Sequence, residues 1–235
     1  MNYIVFYQRL GKVVNNNVET MDYTKEYTNI HSIDVDVASV ELEIQLSDKL
    51  KIEGTDIPSD YKFEEQNGVL KIKNKKVSQN SKLVMYIPSN IQKLDIDIGA
   101  GKIQMQDIMV NRLNLDTGAA IANIENVIVL SAAEIDAGIG EIKIQNSDIS
   151  NLDMDAGVGN VKYDGYLRET SKIDCGVGNI DINLKGTGEI YKIIAERGVG
   201  ELKINGNKLS GTQTIGNGSN ILKISGGIGS LSVTY

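Results

Sequence analysis

One short phrase recurs seven times along this chain, and its centre is a pair of glycines, or a near-copy of one, separated by one residue. The first glycine of the copies is, in order, Gly99, Gly118, Gly138, Gly157, Gly176, Gly198 and Gly227, at steps of 19, 20, 19, 19, 22 and 29 residues. A fixed period near twenty, without heptads or helix-length apolar stripes, is typical of stacked repeats. The sequence therefore predicts a repeat architecture rather than a globular α/β fold.

Apolar and polar residues alternate on both sides of the glycines. The apolar column three residues before the first glycine is Ile96, Leu115, Ile135, Met154, Ile173, Ala195 and Ile224. The first apolar column after the glycines is Ile103, Ala122, Ile142, Val161, Ile180, Leu202 and Leu231. Period-two alternation on both sides of a turn predicts two short strands, each with one buried face. We therefore predict an all-β, single-domain β-solenoid or β-helix built of repeats of about 19–22 residues.

The glycines predict a sharp corner between the two strands, because a Cβ would clash where the backbone bends. Ala120 replaces the second glycine in one copy. Between the glycines lie Ala100, Ala119, Ile139, Val158, Val177, Val199 and Ile228. Since these residues are small or apolar, we expect them to point inward.

The chain divides into three parts that form one continuous domain over residues 27–235. Residues 94–235 hold the regular solenoid. Residues 27–93 hold an atypical version of the repeat and a hairpin around Gln66-Asn67-Gly68, which we predict to cap the open end of the stack. Residues 1–26 lack a clear pattern, and are either a native lead-in or the remains of a trimmed membrane anchor.

Charge and composition exclude several classes of function. A net charge of -7 and a pI near 4.9 argue against nucleic-acid binding, which needs basic surface. The basic run at 71–76 is interpreted as a solvated strand edge. His31 is the one histidine, which excludes Ser-His-Asp and multi-histidine metal sites, and Cys175 is the one cysteine, expected to be a small buried residue. The five apolar residues at 3–7 are too few for a membrane span or a signal peptide. We predict no enzyme activity and no catalytic or cofactor-binding residues.

One polar column is a candidate site. Two residues before the first glycine are Asp97, Asp116, Asp136, Asp155, Asp174 and Glu196, with Ser225 ending the series. Alternation turns this column outward, so neighbouring carboxylates would be stacked about 4.8 Å apart, and like charges in such pairs are destabilising. The Asp-x-Gly spacing favours capping of the corner, with each carboxylate accepting a backbone N–H. The alternatives are a Ca²⁺ ladder or a surface for a cationic polymer or partner.

Two further expectations concern the core and the ends. Alternation places Tyr61, Tyr86 and Tyr163 in the core, while Tyr3, Tyr7, Tyr23 and Tyr27 could cover the open end of the stack. The chain ends directly after the last repeat, at Leu231–Tyr235, without a distinct polar cap. This C-terminal edge is therefore predicted to be a surface for homo-oligomer formation.

The repeats and several flanking motifs resemble a bacterial family of unknown function that is labelled putative adhesin, of the toast-rack β-solenoid type. The resemblance covers about residues 27 to 235. It rests on the opening Ile30-His31-Ser32-Ile33-Asp34-Val35, the turn Thr55-Asp56-Ile57-Pro58, the strand Val84-Met85-Tyr86-Ile87-Pro88, and Leu94-Asp95-Ile96-Asp97-Ile98-Gly99 with its repeats. Because family members are often anchored at or exported to the bacterial envelope, the resemblance implies an envelope location.

Three functional hypotheses follow. The first is a non-catalytic, adhesin-like binding module whose partner is a protein or a cell-surface polymer. The second is a signalling or self-assembly module in the envelope-stress response. The third, ranked below both, is a carbohydrate-active β-helix enzyme, which would need acids facing each other across a cleft. The longest connection, residues 206–220, contains no acid, histidine or arginine, so it is a poor active site.

Overall fold

The computed structural model describes residues 18–78 and 80–235. Most of these residues lie in strands that join into one 17-stranded sheet, and the one helical segment among them is a short 3-10 turn at Gly188–Ile190. The protein is a nearly all-β solenoid, as the repeat predicts. Of the predicted lead-in, residues 1–17 lie outside the described part of the chain. The boundary at residue 26 was placed too late, since Thr20–Tyr27 already forms the first strand.

The strands fall into three groups along the chain. The N-terminal group contains β1 (Thr20–Tyr27), β2 (Ser32–Leu46), β3 (Leu50–Pro58), β4 (Lys62–Gln66), β5 (Val69–Asn74) and β6 (Lys82–Ile87). The long repeat strands are β7 (Lys93–Gln106), β8 (Met109–Glu125), β9 (Ile128–Ser150), β10 (Leu152–Arg168) and β11 (Thr170–Leu184). The C-terminal group contains β12 (Tyr191–Val199), β13 (Leu202–Ile204), β14 (Asn207–Leu209), β15 (Gln213–Ile215), β16 (Asn220–Ile228) and β17 (Leu231–Thr234).

Each repeat makes one coil of the solenoid. The two strands predicted around the glycines are continuous in β7 to β11, and the backbone bends between them. Successive coils pair in parallel with their glycines in register, so that Gly159 lies opposite Gly140 on one side and Gly178 on the other. The connection between repeats forms a third, shorter parallel ladder, in which Met109 pairs with Ile128. A coil therefore has three stacked segments rather than two.

The core is the stack of inward columns that the alternation predicts. Ile96, Leu115 and Ile135 are at most 2% exposed, and the column after the glycines is buried throughout. The third segment adds a further buried column, in which Val110 pairs with Val129 and Ile149 pairs with Leu167. Because like side chains pack on like in successive coils, one continuous apolar core runs along the stack.

The corner at the glycines arises from close approach between coils. A Cβ on Gly118 would lie 2.6 Å from the carbonyl oxygen of Gly99, and one on Gly159 would lie 1.7 Å from that of Gly140. Gly159 also has φ of +151°, which side chains rarely adopt. The prediction that the residue between the glycines points inward was wrong: Ile139, Val158 and their counterparts in the later coils are exposed. The apex of a convex bend faces away from the core, so alternation is interrupted there.

A second corner was not predicted from the sequence. It lies after the second segment of the coil, where Asp107, Asn126, Asn146 and Asn205 have φ between 48° and 57°. Asn and Asp tolerate this left-handed conformation better than other residues with a Cβ. The chain thus turns at glycines on one edge of the coil and at Asn or Asp on another.

The N-terminal end of the stack is covered by antiparallel strands. β5 and β6 pair with the two halves of β2, β4 pairs with β5, and β3 with its neighbour β1 covers β6. The predicted hairpin cap is confirmed as β4–β5, with positive φ at Asn67 and Gly68.

Aromatic side chains pack between the outermost strands of this end. The rings of Tyr23 and Phe63 stack with centroids 3.8 Å apart, and the hydroxyl groups of Tyr23 and Tyr27 are 2.6 Å apart. Tyr61 is buried, as predicted, and so is Tyr163 further along the stack. Tyr86 was predicted to be in the core but is half-buried on the outward side of β6. Tyr3 and Tyr7 lie outside the described residues.

The last repeat in the sequence is not the last coil in space. β16 and β17 lie between β11 on one side and β12 and β13 on the other, with Val177 opposite Ile228 and Val199 opposite Ile228. The outermost coil is therefore the preceding repeat, and β14 and β15 cover it with short antiparallel pairings. The predicted open edge at Leu231–Tyr235 was wrong, because β17 has a hydrogen-bonded neighbour on each side.

Candidate functional site

The predicted acidic column forms a continuous outward ladder. Asp97, Asp116, Asp136, Asp155 and Asp174 pair in register from β7 to β11. Ser225 follows, and Glu196 ends the column on the outermost coil. One further member was not predicted from the sequence: Asp36 of β2 lies opposite Asp97. Its signal was present, because the opening strand matches the repeat in this position. We call Asp36 and the six predicted acids the acid ladder.

Among the described residues, cations pair with the acid ladder only towards its two ends. The Lys75 amine lies 2.6 Å from a carboxylate oxygen of Asp36. The Lys172 amine lies 2.5 Å from Asp174 and 3.6 Å from Asp155. Between them, Asp97, Asp116 and Asp136 make no salt bridge with any residue of the described chain.

Glu134 and Asp95 extend the negative charge into the next outward column, where Asp95 pairs with Lys93 at 2.5 Å. The uncompensated centre of this face therefore carries the carboxylates of Asp97, Asp116, Asp136 and Glu134 within neighbouring coils. A single-signed patch of this kind attracts cations and repels anions over roughly the Debye length, about 8–10 Å at physiological ionic strength.

The pKa values of the acid ladder reflect this uneven compensation. Partial burial raises the pKa of Asp97, and the neighbouring charge of Asp116 raises it further. The pKa of Asp136 is raised for the same reasons, with Asp155 as its strongest charged neighbour. The pKa of Asp174 is lowered: burial alone would raise it, but hydrogen bonds from Lys172 and Ser225 outweigh that effect.

The predicted capping contacts are not present. In residues 18–78 and 80–235, no backbone N–H donates to a carboxylate of Asp97, Asp116 or Asp136, and the hydroxyl group of Ser225 donates to Asp174 at 2.6 Å. The corner is formed by the close approach of the glycines instead. The carboxylates of the acid ladder are thus not occupied by the backbone.

A groove runs along the corner beside the acid ladder. Its volume is about 470 Å³, and its charged lining residues are Asp116, Asp136, Asp155 and Asp174. The floor is the column of first glycines, including Gly118, which carries no side chains to fill the space. A second depression of about 260 Å³ lies between the acid ladder and the next outward column, and includes Glu134.

An apolar column that was predicted to lie in the core follows the glycine floor directly, one residue further along each coil. It consists of the residues between the glycines from β9 onward: Ile139, Val158, Val177, Ile228 and Val199 in spatial order. We call these five residues the corner ridge. Their exposed fractions range from 44% to 72%.

No metal centre is formed by the described residues, since no three of their His, Cys, Asp and Glu side chains converge on one point. The acids of the ladder all project from one wall with the same orientation. The Ca²⁺ ladder stays one of the alternatives drawn from the sequence, which a calcium titration tests.

The remaining reactive side chains do not form a catalytic arrangement with the acid ladder. Cys175 is buried, as expected, and burial raises the pKa of its thiol. His31 is exposed and lies 2.9 Å from the Ser32 hydroxyl. Lys76 of the basic run pairs with Asp60 at 3.2 Å. Within the described chain, no helix has the length and apolarity needed to cross a membrane.

The fold and the repeats identify the family. A model of the Toastrack DUF4097 family matches residues 30–219, which is most of the chain. The chain belongs to this family. The resemblance to toast-rack proteins stated from the sequence is thereby confirmed. No curated protein matches the chain.

The chain is similar to several solved structures. A putative adhesin from Bacteroides fragilis NCTC 9343 is 14% identical, with 90% of this chain and 96% of that chain covered and a TM-score of 0.53. A putative cell adhesion protein from Clostridium sporogenes ATCC 15579 is also 14% identical, with 92% and 99% covered and a TM-score of 0.41. At this identity, the likeness to the Bacteroides protein establishes the fold alone.

Proposed function

We propose that this toast-rack protein is a non-catalytic, adhesin-like binding module, and that the acid ladder is its binding surface for a cationic partner. The observation that carries the proposal is the uncompensated centre of the ladder. Asp97, Asp116 and Asp136 are outward and have neither an ion pair nor a backbone hydrogen bond within the part of the chain that the structure describes, and they line the two depressions on this face. A cationic protein segment or cell-surface polymer is the chemistry that complements them.

The like charges of the acid ladder oppose folding. Like charges directly opposite one another in a sheet are destabilising. The raised pKa values of Asp97 and Asp136 show that their charged forms are disfavoured in the folded protein. Asn would fit the same position without this cost. A role in binding explains why carboxylates stand there.

The two other hypotheses have weaker support. A glycoside hydrolase needs two acids on opposite sides of a bond, with pKa values pushed apart for different roles. The acids of the ladder project from one wall. Self-assembly through stack ends needs an open strand edge, and the ends here are β1 and β4 at one side and the three-residue strands β14 and β15 at the other.

The cell envelope is the proposed location. Its support is the family resemblance and the adhesin name of the Bacteroides structure that shares the fold. An adhesin at this location would meet cationic groups on neighbouring proteins and surface polymers.

The proposal is tested with a fluorescent oligolysine peptide as the cationic probe. The variant Asp97→Asn/Asp116→Asn/Asp136→Asn removes the unpaired charges. Exposed charges of this kind contribute about 0.2–1 kcal/mol each, so we expect the loss of three to weaken binding roughly tenfold. Affinity for the wild type is expected to fall as salt is raised.

A matched control variant has the same net charge as the triple variant of the acid ladder. Glu125, Asp181 and Glu189 are exposed acids on other faces, and the variant Glu125→Gln/Asp181→Asn/Glu189→Gln also removes three charges. We expect this control to bind like the wild type. Equal loss in both variants would mean that the probe senses only net charge, and the ladder would not be the binding surface.

A further inference from the structure

The corner ridge is an unusual feature for a solvent-facing edge. Val158 pairs with Ile139 and Val177, and Ile228 pairs with Val177 and Val199, so five β-branched apolar side chains follow one another without interruption. Four steps of about 4.8 Å make this ridge roughly 19 Å long. The same position holds Ala100 and Ala119 in the two preceding coils, so the fold does not require a large side chain there.

The exposure of the ridge follows from its neighbours. Glycines flank each ridge residue on both sides, as Gly157 and Gly159 do for Val158. A neighbouring side chain is therefore not available to shield it, and Val199 and Ile139 remain 72% and 61% exposed. Contiguous exposed apolar residues bordered by polar ones mark interaction sites in soluble proteins.

The corner ridge and the acid ladder flank the glycine floor along each coil: the ridge residue directly follows the first glycine, and the acid stands two residues before it. The glycine floor separates the ridge from Asp136, Asp155 and Asp174, and every charged residue that lines this groove is a carboxylate. Lys172 lies one column further out and pairs with Asp174. A ligand seated on the glycine floor would meet aliphatic side chains on one side and negative charge on the other.

We propose that the corner ridge docks a segment of a partner protein that carries aliphatic side chains along one side and Lys or Arg along the adjacent side. This inference rests on the proposed function, since it names the chemistry of the cationic partner. The apolar contacts supply affinity by burying the ridge, whereas the carboxylates orient the segment and select basic partners. The acid ladder by itself would accept any polycation.

Charge argues against two alternative occupants of the corner ridge, a membrane surface and a second copy of this chain. An anionic membrane surface would be repelled by the carboxylates that line the groove. A second copy of this chain carries a net charge of -7, so ridge-to-ridge contact would bring two negative proteins together. A basic segment is attracted by the carboxylates, so neither repulsion applies to it.

The test compares two peptides of equal charge on the full-length protein. One alternates Lys with Leu in an amphipathic pattern, and the other has Ser in place of every Leu. We expect the Lys/Leu peptide to bind the wild type at least tenfold more tightly than the Lys/Ser peptide, which corresponds to about 1.4 kcal/mol. Fluorescence anisotropy at physiological salt measures both affinities, and sedimentation of the unliganded protein reports any self-association.

Variants of the corner ridge that keep β-branched side chains separate the contribution of the apolar contacts from that of the carboxylates. Val158→Thr/Val177→Thr/Val199→Thr retains β-branched side chains of similar size, and we expect it to abolish the preference for Leu while Lys/Ser binding is unchanged. The control Val77→Thr/Ile128→Thr/Leu130→Thr alters exposed apolar residues elsewhere and should retain the preference. A melting curve for each variant confirms folding.

Each outcome has one meaning. Equal affinity of the two peptides for the wild type would overturn the ridge proposal and leave the proposed function standing. If neither peptide binds the wild type, both the ridge proposal and the proposed function are overturned. A Leu preference that survives the ridge substitutions would place the apolar contact elsewhere, and concentration-dependent dimerisation that those substitutions abolish would make the ridge a self-association surface.

Discussion

Substitution of Gly159 by alanine is the sharpest test of how the coils are held together. Gly159 lies in the second glycine column, with φ of +151°, and an added Cβ would lie 1.7 Å from the carbonyl oxygen of Gly140. Real Cβ atoms essentially never approach another heavy atom below 3.0 Å. The two strands must therefore separate by roughly 1.3 Å at this point, and the side chain must also adopt an unfavourable backbone conformation.

The expected loss of stability has two parts. Holding a residue other than glycine in a sparsely populated φ region costs about 1–3 kcal/mol. Separating the strands by more than 1 Å takes their N–H···O distances beyond the usual limit of about 3.2 Å, and two ladder hydrogen bonds lost at about 1 kcal/mol each add to this. We expect about 4 kcal/mol in total. For a chain of this size, that lowers the melting temperature by roughly 8–15 °C.

Gly226→Ala provides the matched control. Gly226 lies next to the same corner in another coil, but a Cβ there would meet only a Leu231 methyl group at 3.8 Å. Because alanine restricts the unfolded chain more than glycine, we expect this variant to be as stable as the wild type or slightly more stable. Circular dichroism during thermal and urea unfolding measures both variants. A Gly159→Ala protein that melts within 2 °C of Gly226→Ala would refute the account of the corner.

Three further predictions concern charge, metal and assembly. Because the pKa values of Asp97 and Asp136 are raised in the folded protein, the charged forms of these residues destabilise the fold at pH values above those pKa values. The variant Asp97→Asn/Asp136→Asn should therefore have a higher melting temperature than the wild type at pH 7. This difference should vanish as the pH falls towards the ordinary Asp pKa. An unchanged difference at pH 3.5 would contradict this reasoning. The melting temperature should be the same in Ca²⁺ as in EDTA, because no three ligating side chains of the described residues converge. A bound ion at a hundred times its Kd would add about 2.7 kcal/mol to the free energy of unfolding, which a melting curve detects easily. Sedimentation velocity over a concentration series should show one monomeric species, since short antiparallel strands cover both stack ends, and concentration-dependent growth of larger species would show that the caps are ineffective.

The prediction of the fold succeeded because it rested on periodicity. The inward columns around Ile96 and Ile103 follow from alternation, which depends only on the geometry of an extended chain. The same rule placed the acid ladder on the outside, and the Asn67-Gly68 turn identified the hairpin cap.

The errors arise where alternation is interrupted. At the glycine corner the bend turns Val158 outward although its neighbours in sequence suggest the opposite, so the corner ridge was assigned to the core. The Asp-x-Gly spacing suggested capping, but the glycines approach the neighbouring coil so closely that the corner forms without it. Neither feature can be derived from spacing alone, because both depend on the direction of the bend and on the coil below.

The amino-acid sequence by itself determined that this protein is a stack of β coils with an aliphatic interior and a negative face, since those properties repeat with the period of the chain. Only the tertiary structure decided the order of the coils. The strands at 220–234 pair with β11 because the long connection before them passes beyond the preceding coil and folds over it as β14 and β15. Parallel pairing is specified by complementary surfaces rather than by position in the chain, and so the last repeat could take an interior place that its position in the chain does not indicate.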